Sequence, residues 1–159
     1  MRICWSDTET YSEVPISHGV HAYAECAEIM LWAYAFDDGP VKVWDLTTGA
    51  PMPAELADAL ADKDCLFCFH NSHFDRTVLR HCGYEIPAHR VRDTMVKALA
   101  HSLPGALGDL CNILKISTDK AKDKSGKQLI NLLCKPRPAT SKVRRATRET
   151  HPAEWAKFV

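Results

Sequence analysis

CLFCFHNSHFDRTVLRH, residues 65–81, changes its period halfway along. Cys65–Phe69 is an unbroken apolar run of strand length. From about Asn71 to His81 the apolar residues fall at helical spacing, with Phe74 and Val78 four apart. A strand running straight into a helix is the repeating unit of an α/β domain. Upstream, Arg2–Asp7 alternates and ends in acids, and Glu28–Phe36 is rich in β-branched and aromatic residues. Asp37-Asp38-Gly39-Pro40 then turns the chain into Val41–Asp45, which makes a hairpin meander. Pro53–Ala61 places Pro at its start and Leu56 and Leu60 four apart, so a helix is expected there. Downstream come a short strand near Val91, helices over Asp93–His101 and Ala106–Leu114, and a polar loop over Ser117–Lys127. Gln128–Leu133 reads as a short helix, residues 134–150 as a basic, proline-broken stretch, and His151–Val159 as a helix opening on Pro. A meander followed by alternating strand and helix implies a mixed sheet.

The chain has 159 residues, 46% of them apolar and 25% charged, enough for one domain with its own core. Its net charge of zero hides two opposed halves. Residues 1–96 hold 15 acidic and 7 basic side chains, whereas residues 97–159 hold 5 and 13. The longest apolar run, Ile29–Phe36, is eight residues, far short of the roughly 20 that span a bilayer. No secretory leader precedes Asp7, and seven scattered cysteines suit reduced thiols, so a cytoplasmic protein without a membrane partner is expected. Cys65 and Cys68 form a CxxC, but at that spacing on a strand the thiols point to opposite faces. They are expected to pack, not to bind zinc.

Asp7 and Glu9 are two apart at the end of the first strand, which sets both carboxylates on one face. Adjacent like charges are costly unless neutralised, and a divalent cation does that. For D-x-E alone, a solvated strand end is the better account. Asn71, Phe74 and Asp75 lie at i, i+3 and i+4, one stripe of a helix facing the sheet edge where ligands collect in α/β folds. An amide, a ring and a carboxylate suit a sugar or base contact, a stacking platform and a metal ligand. The plainer account is a capping Asn, a packed Phe and a first-turn acid.

Asp7-Thr8-Glu9 followed some sixty residues later by Asn71-Ser-His-Phe74-Asp75 resembles the first two motifs of the DEDD (DnaQ-like) 3′–5′ exonucleases. The similarity is greatest to the exonuclease domain of phage-type family A DNA polymerases. It continues through VRDTMVKALAHSLPGALGDLCNILKI, GKQLINLLCKP and HPAEWAKFV, and so covers essentially the whole chain. The resemblance implies an RNase H-like fold, a five-stranded mixed β-sheet flanked by helices. It implies two-metal hydrolysis of a terminal phosphodiester with two Mg²⁺ or Mn²⁺ ions. By motif match Asp7, Glu9 and Asp75 are the catalytic metal ligands, with Asp7 bridging, while Thr8, Asn71 and Phe74 position the 3′-terminal nucleotides. The partner implied is single-stranded DNA or a DNA 3′ end, with RNA an open alternative, in a phage or bacterial setting.

The family's third motif, a Tyr or His four residues before a fourth metal-binding Asp, has no match in residues 97–159. Glu154 and His151 come too early for it. The last helix reaches Val159 without a glycine or polar cap. The expectation is an exonuclease-like domain over residues 1–159 that is incomplete at its C-terminus, part of a parent with a polymerase domain, and weak or inactive on its own. The alternative is a small protein that kept the fold as a non-catalytic nucleic-acid-binding module. Asp93 reads as a helix N-cap. Lys115, Lys120, Lys122, Lys124 and Lys127, then Arg137, Lys142, Arg144, Arg145 and Arg148, make the basic half a candidate phosphate-binding surface. Lys122, Lys124, Lys127, Arg144 and Arg145 are its leading residues.

Overall fold

A computed structural model of the chain describes residues 2–116, 124–138 and 140–159. Five strands form one sheet: β1 (Ile3–Tyr11), β2 (Glu28–Phe36), β3 (Lys42–Asp45), β4 (Leu66–Phe69) and β5 (Val91–Asp93), in the order β3-β2-β1-β4-β5. β1 is antiparallel to β2 and β2 to β3, whereas β1, β4 and β5 run parallel. The described helices are α1 (Val20–Glu25), α2 (Ala54–Ala61), α3 (Ser72–His81), α4 (Thr94–Ala100), α5 (Leu107–Ile113), α6 (Lys124–Leu133) and α7 (Pro152–Phe158). This is the mixed RNase H-like sheet that the resemblance implies. None of these helices is long and apolar enough to cross a membrane.

The sheet separates two cores. Cys4, Trp32, Tyr34, Phe67 and Phe69 meet Leu56 and Ala59 of α2 and Val78 and Leu79 of α3 on one face. Tyr11, Met30 and Leu31 meet Leu133 of α6, Cys134 just after it, Ala146 and Trp155 of α7 on the other. Burial from both sides explains why β2 reads as a continuous apolar run and not an alternation. A bulge between Glu9 and Thr10, which pair with Leu31 and Ile29, leaves Met30 as the extra residue of β2. All seven cysteines are free, and Cys65 and Cys68 are buried, as expected of packing residues.

Three expectations need correction. β1 does not end at Asp7 but runs on to Tyr11, because Thr8 and Thr10 are buried with their hydroxyls bonded. α1 was not expected at all from its six residues, which follow Gly19 at φ 97°. The polar stretch over residues 117–127 is not loop throughout, since α6 starts at Lys124, four residues before the expected helix.

Candidate active site

Pairing of β1 with β4 runs only from Ile3–Leu66 to Trp5–Cys68. Beyond it β1 continues alone on that side, and its next inward backbone groups need other partners. Asp75, in the first turn of α3, supplies one. The Thr8 N–H donates to Asp75 Oδ1 at 3.2 Å and the Thr8 hydroxyl donates to the same oxygen at 2.7 Å. Asp7 and Glu9 flank Thr8 and therefore lie past the carboxyl end of β4, where α/β sheets collect ligands.

Asp75 is only 4% exposed. Burial pushes its carboxyl up to about 7; the Thr8 hydroxyl pulls it down, and the charge of Asp7 pushes it up again. Glu9 accepts from the thiol of Cys134 at 3.6 Å. Burial, then the charge of Glu9, pushes that thiol well above its ordinary value, so Cys134 is a neutral donor and not a nucleophile. The three acids offer hard oxygen donors that suit Mg²⁺ or Mn²⁺, and the mutual pressure of Asp7 and Asp75 is what a divalent cation relieves. Among the described residues, however, no group of three or more His, Cys, Asp or Glu side chains is assembled to hold an ion. The donor chemistry fits; a preformed cage is absent from that set.

The turn into α3 is set by Asn71, which takes a left-handed backbone at φ 74° and ψ 53°. Its side chain makes no capping bond, so the plain account of it as a helix cap fails. Phe74 leans on Tyr23 with ring centroids 5.5 Å apart. Together with Thr8, Glu9, Ile130, Cys134 and Lys135 these rings line a cleft of about 460 Å³. A second hollow of about 330 Å³ lies against Trp5, Asp7, His70 and Thr94. Tyr23, Cys134 and Lys135 were not singled out in the sequence. Cys134 meets Glu9 across 125 positions, a separation that no local pattern reports.

Much of the basic half is already engaged. Arg144 pairs with Glu13 at 3.2 Å, and Arg145 pairs with Glu28 and covers the Tyr11 ring at 4.2 Å. Arg148 reaches Asp45 at 3.8 Å. The opposed charges of the two halves thus meet within the fold. Lys127 is exposed on α6. Lys122 lies outside the described residues, and Lys124 is described only through its backbone.

The fold is RNase H-like. Brucella melitensis NrnC superposes with a TM-score of 0.55 at 18% identity, over 96% of this chain and 65% of that one. NrnC with bound Mg²⁺ gives the same values. In sequence the chain is 39% identical over 159 residues to a DNA polymerase of Bacillus phage SP02, covering 96% of this chain and 24% of that protein. The chain thus spans about a quarter of the polymerase it resembles and two thirds of NrnC. No family model matches it.

Proposed function

We propose that the chain is a 3′–5′ exonuclease unit of the proofreading type, matching the corresponding part of a phage DNA polymerase and acting on the 3′-terminal phosphodiester of DNA. The observation that carries this reading is the contact of Asp75 with Thr8, which sets a buried helix carboxylate beside the strand acids Asp7 and Glu9. The similarity along 96% of the chain to a DNA polymerase supports it, as does the RNase H-like fold. Asp7, Glu9 and Asp75 are the residues that would hold two Mg²⁺ or Mn²⁺ ions. Such ions, when bound, supply a hydroxide-like nucleophile and charge neutralisation at the leaving oxygen.

The chain's own groups do the rest. Phe74 and Tyr23 offer faces for a terminal base in the cleft, and Lys135 stands at the same cleft for a phosphate. Thr8 holds Asp75 in place, and exposed Asn71 is within the turn that faces the substrate. Residues 97–159 contain no Tyr or His four positions before an Asp, so the attacking water lacks its orienting group and weak activity is expected from this polypeptide. A polymerase domain in the parent protein and a cytoplasmic setting belong to the same proposal.

The test is digestion of 3′-labelled single-stranded DNA with Mn²⁺, alongside a closed circle and the Asp7→Ala variant. Slow release of mononucleotides from the linear strand alone, abolished by Asp7→Ala, is expected. Cutting of the circle, or full activity in Asp7→Ala, refutes the reading. A second reading, a non-catalytic nucleic-acid-binding module, is favoured by the lack of a preassembled ligand group among the described residues. It predicts DNA binding that is indifferent to Mn²⁺.

A further inference from the structure

Asp93 ends β5 and caps α4, its Oδ1 accepting from the N–H groups of Met95 at 2.8 Å and Val96 at 3.3 Å. That is ordinary capping, but the same carboxylate reaches across to the turn before α3. Oδ1 also accepts from Asn71 N–H at 3.1 Å, and Oδ2 accepts from Ser72 N–H at 2.7 Å. α3 therefore has its first donors satisfied by an acid 21 residues downstream, while its own N-cap side chain contributes nothing. The neighbouring residue reinforces the grip. The Thr94 hydroxyl meets His70 Nδ1 at 2.9 Å and the Phe69 carbonyl at 3.1 Å, and His70 Nε2 meets the Gly105 carbonyl at 2.8 Å.

This grip falls on the one strained point of the turn. A left-handed backbone costs a residue with a Cβ roughly 1–2 kcal/mol and persists where neighbours hold it. Asn71 is that residue, and the path from it to the acids is short. Its conformation fixes the first turn of α3, that turn carries Asp75, and Asp75 is bonded to Thr8 between Asp7 and Glu9. Burial pushes the Asp93 carboxyl up, but its bonds from Ser72, Asn71 and Met95 outweigh this and hold it ionised below the usual range.

We infer that Asp93 is a positioning residue of the candidate site, holding the Asn71 turn so that Asp75 stands beside Asp7 and Thr8. The inference rests on the exonuclease reading, because it takes metal binding as the property that this placement serves. Residues that orient ligands without touching the ion typically change affinity 10- to 100-fold.

The experiment is Mn²⁺ binding by electron paramagnetic resonance on the purified chain. Asp93→Asn replaces the oxygen facing Ser72 with an amide while keeping Oδ1. Asp93→Ser keeps a short oxygen for α4 but cannot reach both helices. Each is expected to weaken Mn²⁺ binding at least tenfold. Leu56→Ala, a core truncation in α2 outside the turn, is the control for lost stability alone and is expected to leave the affinity unchanged. Wild-type affinity in either folded Asp93 variant, or an equal loss in Leu56→Ala, overturns the inference. Unchanged affinity in Asp7→Asn instead overturns the metal reading beneath it, so the two failures are distinct.

Discussion

Replacing Asp75 with Asn should make the protein more stable, at the expense of the nuclease activity proposed above, and the gain should depend on pH. Asp75 is 4% exposed, and its carboxyl is pushed from the ordinary 3.8 to about 7. Its folded value lies above its unfolded one, so between them the folded state holds a proton that the unfolded state has lost. Stability therefore falls as pH rises from about 4 to 7 and stays low above that. At 1.36 kcal/mol per tenfold change in proton affinity, the full cost at alkaline pH is roughly 4 kcal/mol, an upper bound. Asn keeps Oδ1 for both Thr8 donors and brings no charge to bury. Urea unfolding in EDTA should show the advantage of Asp75→Asn growing by roughly 3 kcal/mol between pH 5 and pH 8.5, or about 6–12 °C in Tm. Asp93→Asn should behave in the opposite sense, because its carboxyl is held low and its stabilisation is lost toward acid pH. A gap for Asp75→Asn that is equal at both pH values would refute the reasoning.

Arg90→Met removes a buried guanidinium that donates to the carbonyls of Ala59 and Leu60 at the end of α2 and of Cys65 just before β4. Loss of about 3 kcal/mol and a Tm lower by about 6–12 °C are expected; a Tm within 1 °C of wild type counts against it. Arg144→Glu with Arg145→Glu should weaken single-strand binding and flatten its salt slope by about 1.4, as for two phosphates. An unchanged slope in fluorescence anisotropy would show that these arginines serve only Glu13 and Glu28.

The elements with simple patterning were legible. Glu28–Phe36 falls as expected, and the strand at Cys65–Phe69 and the helix from Asn71 differ by one residue each. Thr8 and Thr10 hid the true length of β1, and Ser12 follows it directly. Their hydroxyls are buried because they bond to Asp75, the Tyr23 ring hydroxyl and the Tyr23 carbonyl, and a buried polar face reads like a solvated end. Gly126 and the lysines disguised the first turn of α6. The acids of the candidate site could be named from their spacing. What Asp75 touches could not, nor could the second helix held by Asp93, since those partners are 67 and 21 positions away. The partners of the basic stretch were hidden for a like reason: Arg144 finds Glu13 across 131 positions.

The division of the sheet into two faces also bears on how the molecule breathes. Among the described residues one face buries fifteen in its cluster and the other seven, so the smaller one is expected to melt first as a separate cooperative unit. Hydrogen exchange should then report faster opening in α6 and α7 than in β1 and α3. The cleft draws Phe74 and Thr8 from the larger unit and Cys134 and Lys135 from the smaller. One of its walls can swing out while the other, with Asp75 behind it, stays folded.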